Sequence, residues 1–197
     1  EAALVFSCGY MANAGIISAL CGRNDVVFSD KLNHASIVDG IILSRAELVR
    51  YPHKDMAALE AALAKAKPKD YARRLIVTDT VFSMDGDVAP LKEIVALAER
   101  YNAWVMVDEA HAFGVFGPTG AGLVEEQGLG DRVHVQMGTL SKAAGSFGAY
   151  CAGSRELIDY LVNSARSFIF TTALPSAVVA ASREALGIIQ TEPGRRE

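Results

Sequence analysis

Cysteine occurs only three times in the 197 residues, at Cys8, Cys21 and Cys151, with no CxxC spacing. That odd, scattered set excludes a disulfide framework and a thiolate zinc site; it is the usage of a reducing compartment, so a cytoplasmic protein is expected. No apolar run reaches the roughly 18 residues needed to cross a bilayer, and no basic-then-apolar leader opens the chain. Membrane partners are therefore not expected. A basic excess is missing too: the net charge is −4, which argues against a non-specific nucleic-acid binder. Aromatic residues make up 8%, so Ala, Val, Ile and Leu must fill the core. No Gly-Lys-Ser or Gly-Lys-Thr occurs, so the phosphate loop of nucleotide hydrolases is absent. The four histidines, His34, His53, His111 and His134, form no metal-ligand pair at helical spacing, and His53 and His134 have no neighbours that give them a role.

What is present is a core. Apolar residues make up 51% and charged residues 21%, the balance of one globular domain. Unbroken apolar runs of strand length stand at Leu4–Phe6, Val26–Phe28, Leu75–Val77, Trp104–Val107, Val133–Met137 and Ala149–Ala152. Several read as strands buried on both faces. Helical spacing fills the intervals. Leu91, Ile94, Val95, Ala98 and Tyr101 share one face behind Pro90; Met56, Leu59 and Leu63 follow a capping Asp55; Leu157, Ile158, Leu161, Val162 and Ala165 follow Ser154. This alternation predicts an α/β domain with a mostly parallel sheet and helices on both faces. Ligands of such sheets bind at the carboxyl ends of the strands. The abrupt ends, Glu1-Ala2-Ala3 and Glu192-Pro193-Gly194-Arg195-Arg196-Glu197, read as cuts in a longer chain.

Three segments sit where that rule looks for chemistry. Asp108-Glu109-Ala110-His111 follows a buried strand, and a desolvated carboxylate there needs a cationic or hydrogen-bonding partner. A capping carboxylate at a strand–helix junction is the plainer reading. In Gly138-Thr139-Leu140-Ser141-Lys142-Ala143-Ala144-Gly145, a lone lysine lies among small residues and hydroxyls. Held in a pocket, such an amine attacks a carbonyl to form a Schiff base, with Thr139 and Ser141 suited to a phosphate; in a surface loop it is simply solvated. Val81-Phe82-Ser83-Met84-Asp85-Gly86-Asp87 lacks the spaced oxygens of a calcium loop and reads as a turn that leaves Ser83 free to donate. Gly117-x-x-Gly120-x-Gly122 is a loop, not a dinucleotide fingerprint.

Six segments in order along the chain resemble the α-oxoamine synthase family of pyridoxal-phosphate (PLP) enzymes, of fold type I. They are Ser7-Cys8-Gly9-Tyr10, Asn33-His34-Ala35-Ser36, Val81 to Asp87, Val107-Asp108-Glu109-Ala110-His111, Gly138-Thr139-Leu140-Ser141-Lys142 and Phe170-Thr171-Thr172-Ala173-Leu174-Pro175. The resemblance implies that residues 1–197 are part of the large PLP-binding domain of that fold. Residues from about 175 onward would form a helix leading toward an absent small C-terminal domain.

The resemblance also implies roles. Lys142 matches the Schiff-base lysine, Asp108 the carboxylate paired with the pyridine nitrogen, and His34 the histidine stacked on the ring. Ser83 and His111 match donors on the ring-hydroxyl side. Gly9, Tyr10 and Thr139 match the phosphate site, and Thr171 and Thr172 the pair that reaches the neighbouring subunit's phosphate. A homodimer with shared sites is implied. Lys142, His34 and Asp108 are the catalytic set so carried over. The implied reaction is a decarboxylating condensation of an amino acid with an acyl-CoA: L-alanine with pimeloyl-CoA, as in biotin synthesis, or glycine with a short acyl-CoA. A fragment that binds PLP or dimerises without turnover is the alternative of another class. Cys8 and Tyr10 stand where Ser or Gly and Phe are frequent, Glu109 where a second Asp is frequent, and the substrate-carboxylate arginine has no counterpart.

Overall fold

The computed structural model describes residues 1–67 and 69–196. In chain order the elements are β1 (Ala2–Phe6), α1 (Gly9–Leu20), β2 (Asp25–Asp30), α2 (Ala35–Ser44), β3 (Glu47–Tyr51), α3 (Met56–Lys65), β4 (Arg73–Asp79) and α4 (Leu91–Arg100). They continue with β5 (Trp104–Asp108), α5 (Leu123–Glu126), β6 (Val135–Thr139), β7 (Ala149–Gly153), α6 (Arg155–Ser164), α7 (Arg166–Ile169) and α8 (Ser176–Thr191). The strands form one sheet in the order β1-β7-β6-β5-β4-β2-β3.

Successive side chains of a strand point to opposite faces, and here both faces are apolar. Val26, Phe28, Ile76, Val105 and Val107 face Leu59 and Leu63 of α3 and Leu91, Ile94, Val95 and Ala98 of α4. Val27, Leu75, Val77, Met106, Val135 and Met137 face Ala12, Ile16 and Ile17 of α1, Ile37 and Ile41 of α2, and Ile158 and Leu161 of α6. Each large aliphatic side chain enclosed in these layers contributes roughly 1.5–3 kcal/mol. The result is the expected three-layer α/β arrangement. Asp55 and Ser154 cap α3 and α6 as expected, accepting from the backbone N–H groups of Ala58 and Leu157.

The sheet is mostly parallel as expected, with β7 alone running antiparallel to its neighbours β1 and β6. Some expectations need correction. The sixth strand covers Val135–Thr139, two residues beyond the apolar run at Val133–Met137. β3 was not expected; its sequence Glu-Leu-Val-Arg-Tyr carries charge because it is an edge strand with one side in water. Pro90 caps α4 from outside it, since the helix begins at Leu91. Val162 is exposed, not part of the buried face of α6. His53 and His134 do have neighbours: His53 lies between Asp30 and Asp87, and His134 stacks on Trp104 at 5.3 Å and accepts from the Val105 N–H.

Helices α1 and α2 cross so closely that a side chain at Gly40 would meet the Asn13 carbonyl oxygen at 3.0 Å. That approach holds the start of α1 and the start of α2 over the carboxyl ends of β4, β5 and β6. Behind them Glu109 is spent on structure. Its buried carboxylate accepts from the N–H groups of Leu123 and Val124 and from Thr80 Oγ1, at 2.8–3.0 Å, and so anchors α5.

Candidate active site

The loops that leave β1, β4, β5 and β6 enclose a hollow of about 190 Å³. Asp108, the last residue of β5, lines it and is only 3% exposed. One oxygen accepts from Asn13 Nδ2 at 2.8 Å and the other from the Ala110 N–H at 2.9 Å. Among the described residues no cation pairs with it. Burial pushes the Asp108 carboxyl upward, only partly countered by those two donors and by the charges of Lys142 and His34. Both readings of this carboxylate from sequence are visible: it caps the chain after β5, and it also faces an open space that asks for a positive charge.

One strand over, at the same level, stands Asp79. It too is buried, and it accepts from the backbone N–H of His34 at 2.7 Å. Burial and the Asp108 charge push Asp79 up to about 8. Like charges this close do not both ionise cheaply. Because the folded value lies above the unfolded 3.8, the folded protein holds the proton more tightly, and stability falls as pH rises between those two values. Asp79→Asn keeps the acceptor for His34 and removes the charge. It is expected to raise the melting point of the cofactor-free protein at alkaline pH, by about 2–4 °C for each kcal/mol regained, and by nothing near pH 4, read by thermal melts across that range.

His34 is the N-cap of α2, and its Nδ1 lies 2.7 Å from Ser36 Oγ and accepts from the Ser36 N–H. Asn13 Nδ2 in turn donates to Ser36 Oγ at 2.9 Å. Asp108, Asn13, Ser36 and His34 thus form one chain of contacts that ends on the imidazole Nδ1 and holds the ring in place. His111 is half-buried, and burial and the Lys142 charge lower its affinity for a proton, so it is neutral at pH 7. Lys142 lies in the loop after β6; its side chain borders the hollow while staying open to solvent.

Helix α1 points its N-terminus at the same space. Cys8 supplies no side-chain cap, and the first carbonyl-bonded amide belongs to Ala12, which leaves the early N–H groups, at Gly9 and Tyr10, free for an anion. Thr139 stands beside them with its hydroxyl 2.7 Å from Ser141 Oγ. Tyr10 is held at the rim by donating to Asp39 at 2.7 Å. Ser83 reaches the hollow from the turn after β4.

Eight of the ten expected site residues are therefore gathered here. Thr171 and Thr172 are not: Thr171 Oγ1 lies 3.5 Å from Ser7 Oγ and Thr172 is exposed, both outside the lining. Beyond Ser141, which the sequence already suited to a phosphate, three polar lining residues escaped the reading of the sequence as site residues. Asp79 carries the same signal as Asp108, a carboxylate ending a buried strand. Ser36 lay inside a quoted segment, and Asn13 was hidden in the apolar run of α1.

A carboxylate without a counter-ion, a lysine, two imidazoles and an open helix N-terminus around a small hollow define a site for an anionic, electron-withdrawing cofactor with a carbonyl. The comparisons agree with this class. Residues 1–197 match the family Aminotransferase class I and II, and the chain belongs to it. Within it the likeness to α-oxoamine synthases holds. A putative 8-amino-7-oxononanoate synthase of Halalkalibacterium halodurans is 61% identical over 197 residues, 100% of this chain and 49% of that protein. The 8-amino-7-oxononanoate synthase of Citrifermentans bemidjiense is 59% identical over 195 residues, covering 99% and 50%.

Among solved structures, serine palmitoyltransferase from S. paucimobilis with a bound PLP–myriocin aldimine superposes with a TM-score of 0.95 at 41% identity, over 100% of this chain and 49% of that one. The 8-amino-7-oxononanoate synthase of Francisella tularensis gives 0.83 at 33%, over 98% and 55%. The chain spans about half the length of the curated relatives it matches. The sheet and helices expected of fold type I are borne out.

Proposed function

We propose that this chain forms the cofactor-holding part of a PLP-dependent acyl-CoA:amino-acid C-acyltransferase. The reaction is the decarboxylating condensation of L-alanine with pimeloyl-CoA to 8-amino-7-oxononanoate, a step of biotin synthesis. The observation that carries this reading is Asp108, a buried carboxylate that no cation pairs with among the described residues, facing a hollow that Lys142 also borders. A protonated ring nitrogen is the partner its position requires. The names and identities of the relatives support the substrate pair.

The residues present fit PLP. Lys142 offers an amine to its carbonyl carbon, Asp108 a carboxylate to its ring nitrogen, and His34 a flat imidazole to its face. Ser83 and His111 offer hydrogens to its ring oxygen; the free N–H groups of Gly9 and Tyr10, with Thr139, cradle its phosphate. Bound there, the cofactor supplies an electron sink for the pair left when a bond to the amino acid's α-carbon is broken. Lys142 Nζ takes the α-proton as general base. Asp108 would hold a proton on the cofactor's ring nitrogen, and the chain from Asn13 to His34 keeps the imidazole from turning. His111, being neutral, donates without adding positive charge beside Lys142.

Thr171 and Thr172, lying outside the hollow, suit a reach toward a partner's phosphate. The exposed Phe170 next to them and Ile42 and Leu43 of α2 suit burial in a homodimer. Along α8 only Ser182 is buried, which supports reading residues 175–197 as the lead into a further domain. No described helix is long and apolar enough to cross a membrane; with the cysteine usage, this supports a cytoplasmic enzyme. The half-length match supports one second reading, a unit that binds PLP or pairs without turnover.

Borohydride reduction of the PLP-incubated protein, followed by peptide mass spectrometry, tests the assignment. A pyridoxyl adduct on Lys142 is expected, and an adduct on any other lysine, or none on folded protein, overturns it. A panel of glycine, alanine and serine against short and long acyl-CoAs then separates the alanine–pimeloyl reaction from a glycine one.

A further inference from the structure

The turn that brings Ser83 to the hollow is tied down by a residue that does not itself reach it. His53, just past β3, lies with Nδ1 3.0 Å from Asp30 Oδ1 and Nε2 2.9 Å from Asp87 Oδ2. Asp30 closes β2, and its side chain is 2% exposed. It also accepts from the backbone N–H groups of Leu32 and Lys54, each at 2.9 Å. Asp87 closes the turn, which is built on Phe82 N–H to the Asp87 carbonyl at 3.0 Å and Gly86 N–H to the Phe82 carbonyl at 2.8 Å. Phe82 is buried and meets the His53 ring edge-on at 4.4 Å. Ser83 follows it directly, so the position of Phe82 and Asp87 sets where Ser83 stands.

A neutral imidazole carries one N–H and turns a lone pair toward its other neighbour. With a carboxylate at each nitrogen, only the imidazolium satisfies both contacts. We propose that His53 is a positioning residue: as an imidazolium bridging Asp30 and Asp87, it fixes the 82–87 turn and so presents Ser83 to the cofactor in the Lys142 hollow. The proposal rests on the PLP reading given above.

The groups facing His53 are Asp30 from β2, Asp87 from the turn and Lys54 beside it. Lys54 also bonds Asp87 at 2.8 Å and leaves that carboxylate part of its charge for the ring. Tyr51, buried behind Asp30, keeps its own proton and stays neutral. Burial favours a neutral His53, yet the hydrogen bonds and charges of Asp30 and Asp87 outweigh it and hold its proton above the usual histidine range. The tie is thus complete below about pH 6.5 and is lost as pH rises through the raised folded value.

The test uses the full-length protein as wild type, His53→Gln, Ser83→Ala and the double variant. PLP dissociation constants are titrated at about pH 6 and about pH 9, and amide exchange is followed at Phe82 and Gly86. His53→Gln is expected to weaken PLP roughly three- to tenfold at the lower pH and less at the higher one, with no further effect in the Ser83→Ala background. The Phe82 and Gly86 amides are expected to exchange faster in His53→Gln. An equal loss of affinity in both backgrounds, or unchanged exchange, overturns the proposal. Should His53→Gln not fold, Asp87→Asn, which removes the charge at the more exposed end of the bridge, carries the same comparison. A wild type that binds no PLP refutes the cofactor reading instead, and the exchange rates still decide whether His53 holds the turn.

Discussion

Lys142→Ala in the full-length protein is expected to reduce condensation by on the order of 10⁴-fold or more, with the melting point nearly unchanged. The two halves of that expectation come from different features of one residue. Lys142 stands in the loop after β6, open to solvent, with no ion pair among the described residues, so its removal leaves no cavity and no buried partner stranded. Its amine is nevertheless the one lysine nitrogen bordering the described hollow, and the charges of Asp108, Asp79 and His111 all respond to it. In the proposed reaction this amine would both anchor the carbonyl and take the α-proton, so its loss would remove two functions at once. Turnover and the borohydride-trapped adduct should therefore vanish together, measured by product formation and mass spectrometry beside a thermal melt. A variant that keeps turnover places the base elsewhere. A variant that unfolds shows that the loop depends on the lysine, against its exposure.

The strands at the centre of the sheet were legible because they are buried on both faces. An unbroken run such as Leu75-Ile76-Val77 or Val105-Met106-Val107 has no other stable place in a chain with so few aromatics. The edge was not legible: in β3 the charges of Glu47 and Arg50 break the apolar run, because one neighbour and water share the strand. Nor did periodicity show α1 and α2, which pack against the sheet and against each other and keep no sustained polar face. The site divides in the same way. Lys142 and Asp108 stood out because a charge in apolar surroundings needs a reason. Asn13 is uncharged, and its function depends on a contact 95 positions away, which spacing cannot reveal. His53 was dismissed for want of neighbours in sequence, although its partners lie 23 and 34 positions away. Groups that act through another residue are the ones that only the folded chain identifies.

Asp108→Asn is expected to move stability and turnover in opposite directions. In the cofactor-free protein the Asp108 carboxylate is enclosed, has another carboxylate at its own level on β4, and has only neutral donors against it. Its carboxyl holds a proton more tightly folded than unfolded, so it costs stability at every pH above the unfolded value of 3.8, and increasingly so up to the raised folded one. Asparagine removes that cost and keeps an acceptor for the Ala110 N–H. Asn13 Oδ1, buried and without a partner, becomes available to the new amide if Asn13 turns over. The cofactor-free variant should therefore melt higher than wild type at neutral pH and equally near pH 4.

With PLP bound the sign reverses. On the proposed reading the carboxylate would then face a protonated ring nitrogen, and breaking such a buried pair costs about 3–5 kcal/mol. PLP affinity should fall by on the order of 10²-fold or more, and the stabilisation that the cofactor confers should shrink accordingly. Turnover at saturating PLP should still fall by on the order of 10³-fold, because a ring that loses its proton is a weaker electron sink. Melting curves of wild type and variant, each with and without PLP, beside turnover at saturation, separate these effects. A variant less stable in both states would mean that Asp108 serves as a cap and nothing more. A variant more stable without cofactor, less stabilised by it and nearly inactive would show that the cost of burying this charge is met by the ligand and not by the fold.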